Sequence, residues 1–577
     1  MRRAGWRVAD LRLVLVAVLL ILAFGGIGYR LLNVQGLHPD AYVERGIDQR
    51  VRHEALPAKR GTIFDRDGVE LAVSISAVTL VADPSQIDDP IGVARMMAPL
   101  LDLDEPDLVE RLSKEDSRFA YVARRLEREA MGDVGELVES LGLAGFTFVD
   151  EPRRVYPAGA LASQILGFVQ DDDGVGLEGL EYEFDSVLAG TPGALIVERD
   201  PYGNPIPQGE LLIEPAVPGG DLLLTIDREI EFMAQQALER TLAETGAIAG
   251  TVVVLDVGTG EILALVNAPS FDPNDRSGAE AAQFRNRAVT DVYEPGSTLK
   301  VVTVSAALEE GVVTPSDRIV VPEKLVIHDK KYTDTGRQGD AEMSVAEIVA
   351  RSSNIGTILI QQSLGNDAHF RYLSAFGLGA AATTQFPGEV DGSLQPVGEW
   401  CRTTCGPSTA IGYRVDVTPL QMAAVFATIA NDGVWVQPHV VKEVIPGEGE
   451  PELFEPARRP VLSAETARTM LRLLQGVVEE GTGTRAQIAG YTVGGKTGTT
   501  EKFVPGEGYS MEDRIASFIG MAPLTDPEIV VAVVLDSPHG EIEDGVDMKF
   551  GGVSAAPLFA EVTEATLHLL GVEPDAV

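Results

Sequence analysis

A chain of 577 residues is long enough for two or more domains with real cores, and its formal net charge of −41 argues against nucleic acid as a partner, because phosphate backbones are held by basic surfaces. Its seven histidines form no His-Glu-x-x-His or similar cluster, so no catalytic zinc is expected. Its two cysteines are too few for a four-ligand metal site of their own.

Arg2, Arg3, Arg7 and Arg12 precede an uncharged stretch, residues 13–29, which Leu31 and Leu32 extend past Arg30. That length suits a membrane-spanning helix. The arginine cluster predicts a cytoplasmic tail over 1–12, a transmembrane helix over 13–33 and an extracytoplasmic remainder. A cleaved signal peptide is the competing reading; the apolar core is long for one, and Arg30 closely follows the only small residues that could be cut. Residues 59–68 are turn-rich, with Arg60 and Arg66 on either side of Asp65, and predict a hairpin with an ion-paired flank. Residues 91–143 read as charged amphipathic helices. Pro201, Pro205, Pro207, Pro215 and Pro218 mark an extended linker over 201–220.

A strand follows at 222–225, then a helix with Ile230, Met233, Ala234, Ala237 and Leu238 on one face. Strands at 251–255 and 261–266 flank Gly258-Thr259-Gly260 as a hairpin. Later β-rich runs are 491–493, 516–521 and 529–535; helix-like stretches fill 297–480, and a last helix starts near Ala555. A hairpin early, strands late and helices between predict an α+β domain whose antiparallel sheet is closed by both ends of the segment.

Within it, Pro295-Gly296 reads as a turn that releases a helix near Ser297. Residues three apart share a helix face, which places Lys300 beneath the Ser297 hydroxyl. Serine is a weak nucleophile that needs a base, and a lysine made neutral by burial can serve. The helix start also favours negative charge developing near Ser297. The apolar run after Lys300 predicts a buried axis. Ser-x-x-Lys alone recurs by chance, but Ser352-Ser353-Asn354 and Lys496-Thr497-Gly498-Thr499 follow in the order used by serine acyl-transfer enzymes that recognise penicillin. Lysine is scarce, with ten in the chain, so finding it at both motif positions carries weight.

On these motifs the chain resembles the penicillin-binding proteins. Arg60-Gly61-x-x-x-Asp65-Arg66-x-Gly68 is similar to the signature of their class B; Arg154-Val155-Tyr156-Pro157-Ala158-Gly159 and Gly176-Leu177-Glu178-Gly179-Leu180-Glu181 agree with it. The resemblance implies a mixed, non-catalytic pedestal over 34–200, dimerisation-type, and a transpeptidase domain over 221–572 with a five-stranded antiparallel sheet flanked by helices. It implies a membrane-anchored peptidoglycan D,D-transpeptidase of the septal, cell-division type, with a lipid-linked precursor strand as substrate and a membrane glycosyltransferase of the division or elongation machinery as partner. In the family pattern Ser297 attacks the carbonyl between the last two D-alanines of a stem peptide, and Lys300 is the base. Ser352 passes a proton to the leaving D-alanine, and Asn354 orients Lys300 and the substrate amide. Lys496 supplies charge on an edge strand that pairs with the peptide. Thr497 and Thr499 offer hydroxyls to its carboxylate, and Gly498 leaves room. The backbone N–H groups of Ser297 and Thr499 are candidates for the oxyanion hole.

No metal or organic cofactor is implied, and β-lactams are expected inhibitors. The alternatives are an elongation-specific transpeptidase, a carboxypeptidase or β-lactamase, and a non-enzymatic scaffold of the division machinery. The pedestal and anchor argue against the hydrolases, and the intact motifs against the scaffold. Outside the cytoplasm, Cys401 and Cys405 are expected to form a short-loop disulfide; the alternative is two unpaired thiols.

Overall fold

The computed structural model describes residues 8–37, 51–114, 117, 119–126, 128–198, 212–383, 385–504, 506, 508–541 and 545–576. It divides into one unit of Met1–Ala58 with Thr191–Val217 and another of Lys59–Gly190 with Pro218–Val577. In the first unit the span Leu11–Gly36 is, among the described residues, the one helix long and apolar enough to cross a membrane. Arg2, Arg3 and Arg7 lie outside the described residues, as do 201–211 of the expected linker. The rest of that linker is not simply extended coil. Its apolar Leu212–Glu214 pairs with Gly193–Glu198, which also pairs with Val51–Leu56.

In the second unit the expected hairpin forms between Ile63–Phe64 and Glu70–Ile75, and Asp65 closes its turn by accepting the Asp67 and Val69 N–H groups. Its ion pairs lie elsewhere than expected. Arg60 pairs with Glu181 and Asp185, and Arg66 with Glu261 at 3.4 Å. Arg154 donates to Glu181 at 2.6 Å and to the Gly61 carbonyl at 2.6 Å, while the Tyr156 hydroxyl donates to Glu181 at 3.3 Å. The three pedestal signatures therefore meet on one fully buried carboxylate. Removing one partner of such an array leaves a buried charge uncompensated, at a typical cost of about 3–5 kcal/mol.

The stretch 91–143 holds the helices Pro90–Leu101, Glu105–Leu112 and Arg128–Ser140, but also an unexpected strand, Ala120–Leu126. Its Arg124 and Arg125 both pair with Glu151. This strand and Phe146–Asp150 flank Val78–Ala82 over a core of Leu80, Met97, Leu108 and Val122. A six-stranded sheet joins the pedestal strands Ile63–Phe64, Glu70–Ile75 and Arg153–Val155 to Asp221–Leu224, Val441–Ile445 and Glu452–Leu453.

The expected five-stranded sheet is formed by Ala249–Asp256 (β1), Ile262–Ala268 (β2), Gly494–Val504 (β3), Gly508–Ala522 (β4) and Ile529–Asp536 (β5), in the order β2-β1-β5-β4-β3 and antiparallel throughout. β3 starts at Gly494, just after the run 491–493, so the Lys-Thr-Gly segment lies in an edge strand. Central β5 is apolar from Ile529 to Leu535 because helices cover both faces. Val531 and Val533 pack with helix Arg228–Thr245 (α1) and the C-terminal helix, and Val530 and Ala532 with the helical layer opposite. On α1, Ile230, Ala234, Ala237 and Leu238 are buried, whereas Met233 lies on the rim of the stripe, 43 % exposed. The interval 297–480 is less helical than expected. The strands Arg318–Val321 and Ala341–Ser344 pair, as do Lys324–Ile327 and Lys330–Thr333. These are four residues each and half exposed, too short for a clear alternation. Cys401 and Cys405 are joined in a disulfide.

Glu231 of α1 is buried and accepts the Leu265 N–H on edge strand β2 at 2.7 Å. Burial raises its carboxyl to about 7. The folded state thus favours the proton, so this contribution to stability is full below about pH 4.5 and is lost as pH rises through 7. Glu231→Gln should keep the hydrogen bond and escape that loss, stabilising the chain by roughly 3 kcal/mol at pH 8 and little at pH 4.5. Thermal unfolding of detergent-solubilised protein at both pH values checks this; equal shifts at the two would refute it.

Candidate active site

The nucleophile segment enters from Pro295 through Gly296, whose φ of +57° an L side chain rarely adopts and whose Cβ would lie 2.3 Å from Thr500 Cγ2. A turn of 3₁₀ helix, Gly296–Leu299, then passes into Lys300–Glu309 (α2). Every residue from Lys300 to Ala307 is buried, as the apolar run predicts. Ser297 is half-buried at the tip, and Lys300 is 3 % exposed.

All three side-chain hydrogen bonds of Lys300 reach the second motif: Ser352 O at 2.6 Å, Asn354 Oδ1 at 2.7 Å and Ser352 Oγ at 3.2 Å. Two carbonyl-type oxygens and one hydroxyl accept from Nζ, a set that the three donors of an ammonium can fill, so it is burial that favours the neutral amine. Burial holds Lys300 well below the ordinary lysine range; the Lys496 cation adds to this and Asp334 opposes it. The helix Asn354–Leu364 (α3) starts at the motif, but its N-cap is the middle residue: Ser353 Oγ accepts the Gly356 N–H at 2.9 Å. Ser352 and Asn354 are thereby spared for Lys300.

On β3, Lys496 is fully buried and lowered to about 7 by that burial; its Nζ lies 3.3 Å from Thr497 O and 3.4 Å from Thr497 Oγ1. Thr497 Oγ1 shares a 2.7 Å hydrogen bond with Thr482. Thr499 Oγ1 donates to Gly498 O at 2.8 Å and accepts the Gly551 N–H at 3.0 Å. Gly498 also serves the fold. Its Cβ would fall 2.3 Å from Ser517 Oγ and 3.1 Å from Thr298 Cγ2, so the missing side chain lets the strand cross the turn that carries Ser297. The same crossing is tied by Thr500 Oγ1, which donates to Glu294 O at 3.0 Å.

Three contributors were not foreseen. Thr482 lies in a Gly-Thr-Gly-Thr turn with no chemical signature. Glu294 precedes the nucleophile turn, and both its carboxylate oxygens are engaged, by the Arg414 N–H at 2.7 Å and the Tyr509 O–H at 2.9 Å. Asp334 accepts Ser353 O–H at 2.7 Å from a polar turn that reads as plain surface.

Residues 250–564 match the penicillin binding protein transpeptidase domain and residues 55–224 the penicillin-binding protein dimerisation domain. The chain is 34 % identical over 570 residues to a probable peptidoglycan D,D-transpeptidase PenA of Neisseria meningitidis, covering 98 % of this chain and 93 % of that one. It is 32 % identical to the peptidoglycan D,D-transpeptidase FtsI of Escherichia coli over 99 % and 93 % of the two chains. A Mycobacterium tuberculosis penicillin-binding protein 3 in complex with aztreonam superposes with a TM-score of 0.71 at 29 % identity, over 91 % of this chain and 99 % of that one. With both domains matched and relatives alike along nearly its whole length, the chain belongs to the penicillin-binding proteins, in the class B branch that joins a dimerisation domain to a transpeptidase domain.

Proposed function

We propose that the protein is a membrane-anchored peptidoglycan D,D-transpeptidase that cross-links stem peptides through an ester on Ser297. The observation that carries this is the Lys300 amine, buried one helical turn from Ser297 and held at 3.2 Å or less by Ser352 and Asn354. Ser297 Oγ bonds to the carbonyl carbon between the terminal D-alanines as its proton passes to neutral Lys300. The oxyanion is met by the N–H groups of Ser297 and Thr499, each worth about 3 kcal/mol in comparable sites. Collapse breaks the C–N bond. The departing D-alanine takes a proton from Ser352 Oγ, which recovers one from Lys300 across their 3.2 Å contact. An amine of a neighbouring stem then attacks the ester, and the same relay runs in reverse to free Ser297. Lys496, Thr497 and Thr499 receive the substrate carboxylate while edge strand β3 pairs with the peptide.

We further assign residues 1–12 to the cytoplasm, 13–33 to the membrane, 34–200 to the pedestal, 201–220 to a linker and 221–572 to the extracytoplasmic enzyme. The septal role draws support from the likeness to FtsI, and a membrane glycosyltransferase is the natural partner because strands must be polymerised before they are linked. A tagged copy distributed evenly along dividing cells would remove the septal assignment. A membrane-impermeant fluorescent penicillin applied to intact spheroplasts should label the wild type, and Ser297→Ala should abolish labelling. Label on the mutant would sink the nucleophile; label on the wild type only after lysis would sink the orientation.

A further inference from the structure

We propose that Asp334 is a positioning residue that holds the Ser352-Ser353-Asn354 turn, and through it the Lys300 amine, in reactive register. This rests on the role given above to Lys300 and Ser352. The turn needs an outside hold: Ser352 has a φ of +56°, a left-handed conformation disfavoured for any residue with a Cβ. The carbonyl of that same residue accepts from Lys300 at 2.6 Å, so relaxation of Ser352 would swing an acceptor away from the amine.

Asp334 follows the strand Lys330–Thr333, and its side chain is 7 % exposed. Oδ1 accepts the Ile355 N–H at 3.0 Å, and Oδ2 accepts Ser353 O–H at 2.7 Å. One carboxylate thus grips the chain on both sides of Asn354. Its neighbour Thr333 completes the grip, its carbonyl accepting Asn354 Nδ2–H at 3.1 Å. A carbonyl only accepts, so the Asn354 amide nitrogen must face Thr333 and its oxygen is left facing Lys300. Behind Asp334, Arg337 pairs with Oδ2 at 3.1 Å and is itself pinned by the carbonyls of Val321, Pro322 and Gly339. The clamp is therefore anchored to the small β-subdomain and not only to the turn it holds.

Asp334 also acts through charge. The charged groups facing Lys300 are Lys496, which disfavours its proton, and Asp334, which favours it. Removing the Asp334 charge leaves the Arg337 cation unpaired as well, and both changes favour neutral Lys300. Loss of Asp334 should consequently lower the acylation rate by loosening the turn, yet move the acid limb of the pH profile to lower pH.

The test is the second-order rate of acylation by a fluorescent penicillin from pH 5 to 10, on full-length detergent-solubilised protein, with thermal unfolding of each variant. Asp334→Ala should slow acylation 10- to 100-fold. Asp334→Asn, which retains an acceptor for the Ile355 N–H and folds without an added cavity, should slow it less. Both should shift the acid limb downward, whereas Ser353→Ala should lower the rate and leave the limb in place. Wild-type rates and limb in both Asp334 variants would overturn the proposal. So would a fall in melting temperature with the limb unmoved, which marks a purely structural residue. Failure of the wild type itself to acylate would instead overturn the reading of Ser297 and Lys300.

Discussion

Lys300→Met is expected to slow acylation by a penicillin about a thousandfold at neutral pH, in the range found when a general base is removed. The side chain is buried and its amine engages Ser352 and Asn354, so in the proposed mechanism its loss removes both the base for Ser297 and the proton relay to the leaving group. Lys300→Arg should do little better, because a guanidinium keeps its proton at any working pH. In the wild type the rate should rise with pH as Lys300 loses its proton, at a pH well below that of an ordinary lysine. It should fall again above about 7, where Lys496 loses the charge proposed to meet the substrate carboxylate. The two cations feel each other, so both limbs belong to the pair. Stopped-flow acylation across pH checks this. A Lys300→Met variant within tenfold of wild type would remove Lys300 from the chemistry.

The second large effect is the long life of the acylated enzyme. A β-lactam opened by Ser297 leaves an ester that only water or an amine can clear, and the opened ring hinders an amine. Class A β-lactamases activate that water with an additional glutamate. In them it stands four residues before an asparagine, between the second and third motifs; here ten glutamates, from Glu389 and Glu399 through Glu443, Glu448 and Glu450 to Glu480, lie in that interval and none is so followed. The carboxylates described beside the site are both committed: Glu294 to the Arg414 N–H and Tyr509, Asp334 to Ser353, Ile355 and Arg337. Deacylation should lack a general base, a deficit of roughly 10²–10⁴ in rate. Intact-protein mass spectrometry should show one bound drug persisting over many turnover times of a β-lactamase. Rapid return to the free mass with steady drug hydrolysis would place the protein in another branch of the superfamily.

The features legible in the sequence are those that local order carries. Ser297, Lys300, Ser352, Asn354 and Lys496 declare themselves by spacing, and the apolar runs of β1, β2, β4 and β5 declare the sheet. Long-range partners leave no such trace. Asp334 and Thr482 sit in polar turns whose meaning comes from side chains 19 and 15 residues away. The packing role of Gly498 is not legible because the direction of a missing Cβ depends on which strand crosses which helix. Arg60 reads as a flank charge beside Asp65, and only the fold brings Glu181 to it and to Arg154.

The six-stranded sheet has a consequence for engineering. Its strand Asp221–Leu224 pairs with Ile63–Phe64 on one side and with Val441–Ile445 on the other, so one hydrogen-bonded ladder stitches the pedestal to the far half of the enzyme. Chain from residue 63 to residue 445 must have been synthesised before that ladder can close. A chimera that swaps the pedestal for a relative's, cut anywhere near residue 200, would graft a foreign strand pair onto Asp221–Leu224. Transplanting the host's own Ile63–Phe64 along with the cut would keep that seam native.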